Sequence, residues 1–285
     1  MIRPLKGRLE LAVAEFDRYG GVMQNADAEM LKVLEALALD AGRRIMHFRE
    51  QGCAVEKKSD ASPVTAADRE GETIIVAGLR AAYPDIPIVA EEEAAEGLSP
   101  KRLGEAFFLV DPLDGTREFI SGNGDFTVNI ALVRKGIPEV GVVYAPVSRT
   151  LYGGAPGLAE AAETDDLHRI VSRRAIRARE PGQILTIVAS RSHRNAATDD
   201  LIARHPDARI LEVGSSLKFC MVAAGKADYY PRCGPTMQWD TAAGDAVLRA
   251  AGGMTSTLQG DPLEYGLAKA EKPFANPHFI AEGRR

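Results

Sequence analysis

The sequence predicts a layered α/β fold built of two subdomains. Three features point to it. A long helical stripe lies near the start, short apolar runs broken by turn residues fill the first half, and strand-like and helix-like segments alternate in the second. The 285 residues, 45% hydrophobic and 26% charged, have the balance of a folded globular protein, and they suffice for one large core or two smaller ones.

The stripe runs over residues 27–48, where Met30, Leu34, Leu37, Ala41, Ile45 and Phe48 recur every three or four positions and Gly52 follows as a stop. A second helix is expected from Thr65, a capping residue, to Ala82, before Pro84. Asp68 stands three residues after Thr65, where a capping-box carboxylate belongs. Strand-like runs follow at 86–90, 107–110, 127–133 and 140–144, the last two joined by the turn-like Lys135 and Gly136. Further strands are expected at 184–189, 209–213 and 279–280, with helices at 196–204, 215–224 and 241–251.

Residues 158–181 carry Arg169, Arg173, Arg174, Arg177 and Arg179 without a clean apolar stripe, and are expected to hold the subdomain junction. The division is then an unassigned extension at 1–25, an N-terminal α+β subdomain at 26–180 and a C-terminal α/β subdomain at 181–285. The arginine run reads chiefly as a solvated face, with the gathering of an anionic substrate as the alternative.

A net charge of −5 gives no general attraction to a nucleic-acid polymer or an anionic membrane, so an anionic substrate needs a local counter-charge. Charged residues interrupt the first 25 positions, leaving no secretory apolar region, and no stretch has the length of a membrane span. Cys53, Cys220 and Cys233 show neither zinc spacing nor a C-x-x-C pair, and read as reduced thiols of a cytoplasmic protein.

The chemistry concentrates in Asp111-Pro112-Leu113-Asp114-Gly115-Thr116, directly after an apolar run. Proline and glycine imply a tight turn on which two carboxylates converge, and converging carboxylates repel unless a cation or proton intervenes. A hard divalent ion resolves that repulsion, while the N–H groups of Gly115 and Thr116 are free to face a phosphate. A plain surface turn is the competing reading. It is weakened by two more acidic sites at element ends, Glu91-Glu92-Glu93 and Trp239-Asp240.

These segments resemble the inositol monophosphatase superfamily of magnesium-dependent phosphatases. Its D-P-x-D-G-T motif matches residues 111–116, its acidic pair Glu91-Glu92, and its W-D-x-A-A-G motif residues 239–244. Glu118-Phe119-Ile120, the stretch 124–132, Ser190-Arg191-Ser192-His193, the segment 214–220 and Tyr230-Pro231-Arg232 look most like the 3'(2'),5'-bisphosphate nucleotidase branch. The resemblance implies an αβαβα sandwich of the sugar-phosphatase kind, with two or three magnesium ions held by Glu91, Asp111, the Leu113 carbonyl, Asp114 and Asp240. Asp68 and Thr116 would orient and help deprotonate the attacking water, with Glu91 counted in the catalytic set as well. Gly115, Thr116, His193, Ser215, Lys218, Arg232 and Asp240 would contact substrate, Lys218 and Arg232 at a second phosphate.

Ala90, Cys233 and Gln238 depart from the family pattern without removing a proposed ligand, and put fine substrate preference in question. The expected reaction is hydrolysis of 3'-phosphoadenosine 5'-phosphate to AMP and phosphate, with lithium sensitivity implied by the resemblance. An inositol or other sugar monophosphatase and a non-catalytic metabolite-binding protein stay open as alternatives. So does a homodimer.

Overall fold

The computed structural model describes residues 6–52, 55–57, 63–266 and 273–284. Helix α1 (Lys6–Gln51) contains the expected stripe but begins earlier, running through Gly20 and Gly21 within the stretch 1–25 that the sequence left as an unassigned extension. It stops at Gly52, whose φ of 75° is the left-handed conformation that terminates helices. The antiparallel pair β1 (Val55–Lys57) and β2 (Pro63–Thr65) precedes α2 (Ala66–Ala82), which opens with a complete Thr65/Asp68 capping box. Cys53 lies outside the described residues; Cys220 and Cys233 are free and buried.

Next come β3 (Ile88–Ala90), α3 (Glu91–Ala95), β4 (Ala106–Asp114), α4 (Thr116–Ile120), β5 (Thr127–Arg134) and β6 (Ile137–Ala145). Lys135 and Gly136, both with positive φ, make the expected hairpin turn between β5 and β6. Then β7 (Thr150–Ala155), β8 (Leu158–Thr164) and β9 (Ile170–Ala175) complete a seven-stranded sheet of order β3-β4-β5-β6-β7-β8-β9.

The stretch 158–181 is therefore mostly sheet, because β8 turns small side chains (Ala159, Ala161, Ala162) to the core and β9 is an exposed edge strand. Small residues inside and arginines outside leave no apolar stripe to read. Three of the arginines are held in ion pairs: Arg173 with Glu35 and Glu160, Arg169 with Asp165, and Arg179 with Asp228. That pairing favours the solvated-face reading over substrate gathering.

The remaining elements are β10 (Thr186–Ser190), α5 (Ala196–Ile202), β11 (Arg209–Val213), α6 (Leu217–Ala223), β12 (Tyr229–Arg232), α7 (Gln238–Ala250), β13 (Met254–Thr257) and β14 (Phe279–Glu282). Their five strands form a second sheet of order β11-β10-β12-β14-β13.

Strand pleating sorts the side chains into layers. Phe108, Val110, Ile130, Leu132, Val142 and Tyr144 face α1 and α2, meeting Leu34, Ile45, Ile75 and Leu79. Each of those four helix residues is fully buried, worth about 1.5–3 kcal/mol apiece. Their neighbours Phe107, Leu109, Ala131, Val133 and Val143 face the other way, joining Phe219, Ala243 and Val247 of α6 and α7 in a core shared with Val188, Tyr230 and Phe279 of the second sheet. Helix α5 covers the far side of that sheet, Ile202 packing on Ile187 and Ala189. The layers run α, β, α, β, α.

Candidate active site

Strand β4 carries the two aspartates, and its register shows how they come to share a face. Asp111 pairs with Asn129 but Asp114 pairs with Thr127, so Pro112 and Leu113 stand opposite Val128 alone. This one-residue bulge replaces the expected tight turn. An unbroken strand would send residues three apart to opposite faces, whereas the bulge restores Asp114 to the face of Asp111. Proline, lacking an N–H, is tolerated at such a bulge. The chain reverses only at Gly115, whose φ of 97° favours glycine, and a Cβ there would come within 3.1 Å of the Asp125 carbonyl. Strand parity also turns Asp111 toward α6 and α7, because Phe107 and Leu109 already face that way.

Asp68, almost fully buried at the start of α2, has two duties. Its Oδ2 accepts the backbone N–H (2.8 Å) and hydroxyl (2.7 Å) of Thr65, closing the cap. Its Oδ1 accepts the Thr116 hydroxyl at 3.0 Å, and that hydroxyl also lies 3.3 Å from the Leu113 carbonyl. Burial raises the Asp68 pKa despite these donors.

Glu91 opens α3 at the end of β3, and its carboxyl lies against that of Asp111, whose pKa it helps to raise. One turn along α2 from Asp68, Glu72 accepts the backbone N–H groups of Glu92 (2.7 Å) and Glu93 (2.8 Å), anchoring the start of α3 and with it Glu91. Burial pushes the Glu72 carboxyl up to about 7.

Asp240 lies in the first turn of α7, two residues after the helix begins, and its Oδ2 accepts the Met237 N–H at 2.8 Å. The height of α7 over the first sheet is set by two glycines paired across β6 and β7. A Cβ on Gly141 would stand 2.7 Å from the Ala243 carbonyl oxygen, and one on Gly154 would stand 2.6 Å from the Val247 Cα.

A cleft of about 230 Å³ opens over these strand and helix ends. Of the residues singled out from sequence, Glu91, Asp114, Gly115, Thr116, His193, Ser215, Lys218, Arg232 and Asp240 line it. Asp68, Asp111 and Leu113 stand behind the wall, linked to it through Thr116 and Glu91. Lys218 is buried, donates to the carbonyls of Ser215 (2.5 Å) and Val213 (3.4 Å), and sits over the Tyr230 ring, 5.4 Å from its centroid. Burial pulls its pKa down to about 8, against the pull of the Asp114 charge. Arg232, also buried, donates to the carbonyls of Pro235 and His193, while its Nε finds no acceptor among the described residues. Desolvation and the Arg232 charge lower the His193 pKa. Ser215 has a φ of 48°, and α6 begins only after it, at Leu217.

The donor set fits a hard divalent cation on chemical grounds. Burial and mutual repulsion among Glu91, Asp111, Asp114 and Asp240 raise the pKa of Asp111 and Asp240 well above the usual carboxylate range. Asp111 and Asp240 each have one oxygen engaged by a backbone N–H, from Leu113 and Met237 respectively. Among the described residues no three acidic, histidine or cysteine side chains already stand in a metal-holding cluster, so the fit rests on donor chemistry and shared charge.

Sequence reasoning gave no site role to Glu72, Glu118, Asn129 or Ser216, although the last three stand in segments that carry the branch resemblance. Glu118 is buried, lines the cleft and accepts the Ser192 hydroxyl. Asn129 and Ser216 lie under Asp114. An acidic residue one helical turn from Asp68 was the available signal for Glu72; Asn129 stood in a marked stretch, but nothing local gave it a role.

Carboxylates and cations facing one another at the strand ends of a five-layer sandwich have the chemistry to receive an anionic ester beside a cation. The chain belongs to the inositol monophosphatase family, whose model matches residues 26–282. It is 44% identical over 252 residues to the 3'(2'),5'-bisphosphate nucleotidase CysQ of Escherichia coli (strain K12), covering 88% of this chain and 98% of that protein. The crystal structure of CysQ from Bacteroides thetaiotaomicron superposes with a TM-score of 0.73 at 36% identity, covering 90% of this chain and 98% of that one. Thermotoga maritima IMPase superposes at 0.70 with 27% identity, covering 89% and 92%. The protein is thus a phosphatase of that family. No described helix is long and apolar enough to cross a membrane.

Proposed function

We propose that the chain is a magnesium-dependent phosphatase that converts 3'-phosphoadenosine 5'-phosphate to AMP and phosphate. One observation carries the choice of substrate: two buried cations, Lys218 and Arg232, share the cleft with the carboxylates, and Arg232 keeps an Nε–H without an acceptor there. A monophosphate directed to the carboxylate side leaves those cations unused, whereas a second phosphate satisfies both. The relatives named bisphosphate nucleotidase support the same reading.

Glu91, Asp111, the Leu113 carbonyl, Asp114 and Asp240 would hold two or three magnesium ions. The chemistry magnesium supplies there is neutralisation of phosphoryl charge and acidification of water. Thr116 and Asp68 then act as a pair, the threonine hydroxyl orienting the water and the carboxylate behind it drawing off its proton. The N–H groups of Gly115 and Thr116 hold the phosphate in line, aided by the glycine's left-handed turn. Ser215 and His193 offer polar contacts to the rest of the nucleotide. The two sheets, meeting around α6 and α7, act as halves of one catalytic unit. The free, buried Cys220 and Cys233 fit a reducing, cytoplasmic setting.

The test is phosphate release from 3'-phosphoadenosine 5'-phosphate, inositol 1-phosphate and fructose 1,6-bisphosphate, each with magnesium and with chelator. Magnesium-dependent preference for the nucleotide is expected. Preference for either sugar phosphate would overturn the role given to Lys218 and Arg232, and no release from any of them would overturn the enzyme reading.

A further inference from the structure

Asn129 lies on β5 directly opposite Asp111, on the face turned toward α7, and is almost fully buried. Its Nδ2 is shared between two acceptors, the Ser216 hydroxyl oxygen at 3.0 Å and the Asp114 Oδ2 at 3.4 Å. The Ser216 hydroxyl in turn donates to the Asp240 backbone carbonyl at 2.5 Å, and the backbone N–H of Ser216 donates to the Asp114 carboxylate. Asp114, Asn129, Ser216 and Asp240 thus form one chain of contacts crossing from the first sheet to α7.

The other end of the amide shows that this orientation is imposed. Asn129 Oδ1 is buried without a partner among the described residues. Turning the amide over would not help, because it would set Oδ1 against the Asp114 carboxylate, which only accepts when ionised. A side chain needed only to fill this space would be apolar, as Ala131 and Val133 on the same strand face are. An orphaned acceptor kept in a packed core marks a group held for what its donors do.

We propose that Asn129 is a positioning residue that, through Ser216, fixes the Asp114 carboxylate and the Asp240 turn relative to each other, so that ligands from the two halves of the chain meet at one metal site. The inference rests on the reading of Asp114 and Asp240 as metal ligands. Asn129 is not among the residues that line the cleft. One N–H of its amide turns Oδ2 of Asp114 into the protein and leaves Oδ1 for the site, while the other holds Ser216, which ties down the peptide that bears Asp240.

The test is calorimetric titration of the full chain with Mg²⁺, beside thermal melting without metal. Asn129→Leu keeps the volume and removes both donors together with the orphaned acceptor. It is expected to raise the Mg²⁺ Kd about tenfold while the metal-free Tm stays level or rises, opposite signs that a merely structural role would not produce. Asn129→Ser, which can serve only one acceptor, is expected to fall between and guards against a leucine variant that does not fold. Ser216→Ala should match the leucine variant, and the double variant should be no worse than the poorer single one. A Kd within twofold of the unaltered chain, or additive effects in the double variant, would overturn the proposal. Failure of the unaltered chain to bind Mg²⁺ would overturn the metal reading as well.

Discussion

Replacing Asp68 by asparagine separates two functions that one carboxylate performs. Oδ2 closes the α2 cap on Thr65, and Oδ1 takes the Thr116 hydroxyl at 3.0 Å. Asparagine keeps one acceptor oxygen. The Thr65 N–H and hydroxyl claim it, leaving an NH₂ against Thr116, whose proton turns to the Leu113 carbonyl. The cap survives, so the stability cost should stay below about 1 kcal/mol, a Tm change of no more than about 2–4 °C. In the proposed mechanism the proton acceptor behind the water is then gone, and kcat should fall about 10²- to 10⁴-fold, or roughly 3–5 kcal/mol of barrier. Asp68→Ala loses the cap too, leaving a buried N–H unpaired, and should cost a further ~1–2 kcal/mol. Phosphate release and thermal melting on both variants decide the matter. An asparagine variant within threefold of normal kcat would refute the catalytic role, and one that melts as early as the alanine variant would refute the separation.

Four further outcomes are expected. Lys218→Met should raise KM for the bisphosphate by about tenfold or more and leave a monophosphate nearly unaffected. In the unaltered enzyme, KM for the bisphosphate should climb as pH passes through about 8, where the lysine loses its proton; steady-state kinetics across pH would check both. Glu72 holds its proton up to about 7 when folded and to its ordinary 4.5 when unfolded, so between those values the folded state binds more protons and stability falls as pH rises, by about 3 kcal/mol in all. Glu72→Gln cannot ionise, and denaturant midpoints at pH 5 and 8 should show a smaller decline for it; equal declines would reject the assignment. Gly154→Ala should destabilise by about 1–3 kcal/mol by overpacking against Val247, measurable by denaturant unfolding.

The sequence made the ordered layers legible wherever a face had a period. The stripe through Met30 and Ile45, the Thr65/Asp68 cap and the Lys135-Gly136 hairpin all stand where the pattern put them. It was silent at β8 and β9, whose small inward residues and outward arginines resemble a polar loop until the neighbouring strand is in place. It misjudged residues 111–116 as a tight turn, because proline, aspartate and glycine suit a bulge as well as a turn, and only the pairing of Asp114 with Thr127 separates the two. Local motifs led to Glu91, Asp114, Thr116 and Asp240 on the cleft wall. Asn129 was hidden because its meaning comes from Ser216, 87 residues further on.

The glycines at 141 and 154 turn a packing detail into a rule about engineering this molecule. Exchanging strand glycine for alanine commonly stabilises a protein by narrowing its unfolded ensemble. Here an added methyl would lie about 0.7 Å closer to α7 than ordinary contact allows, and the helix that would have to yield carries Asp240. Displacements on the order of 1 Å at reacting groups can cost about a hundredfold in rate. A thermostability programme that screens for melting temperature alone would treat these two positions as vacancies to fill, and would lose turnover at sites deep in the sandwich that border no substrate.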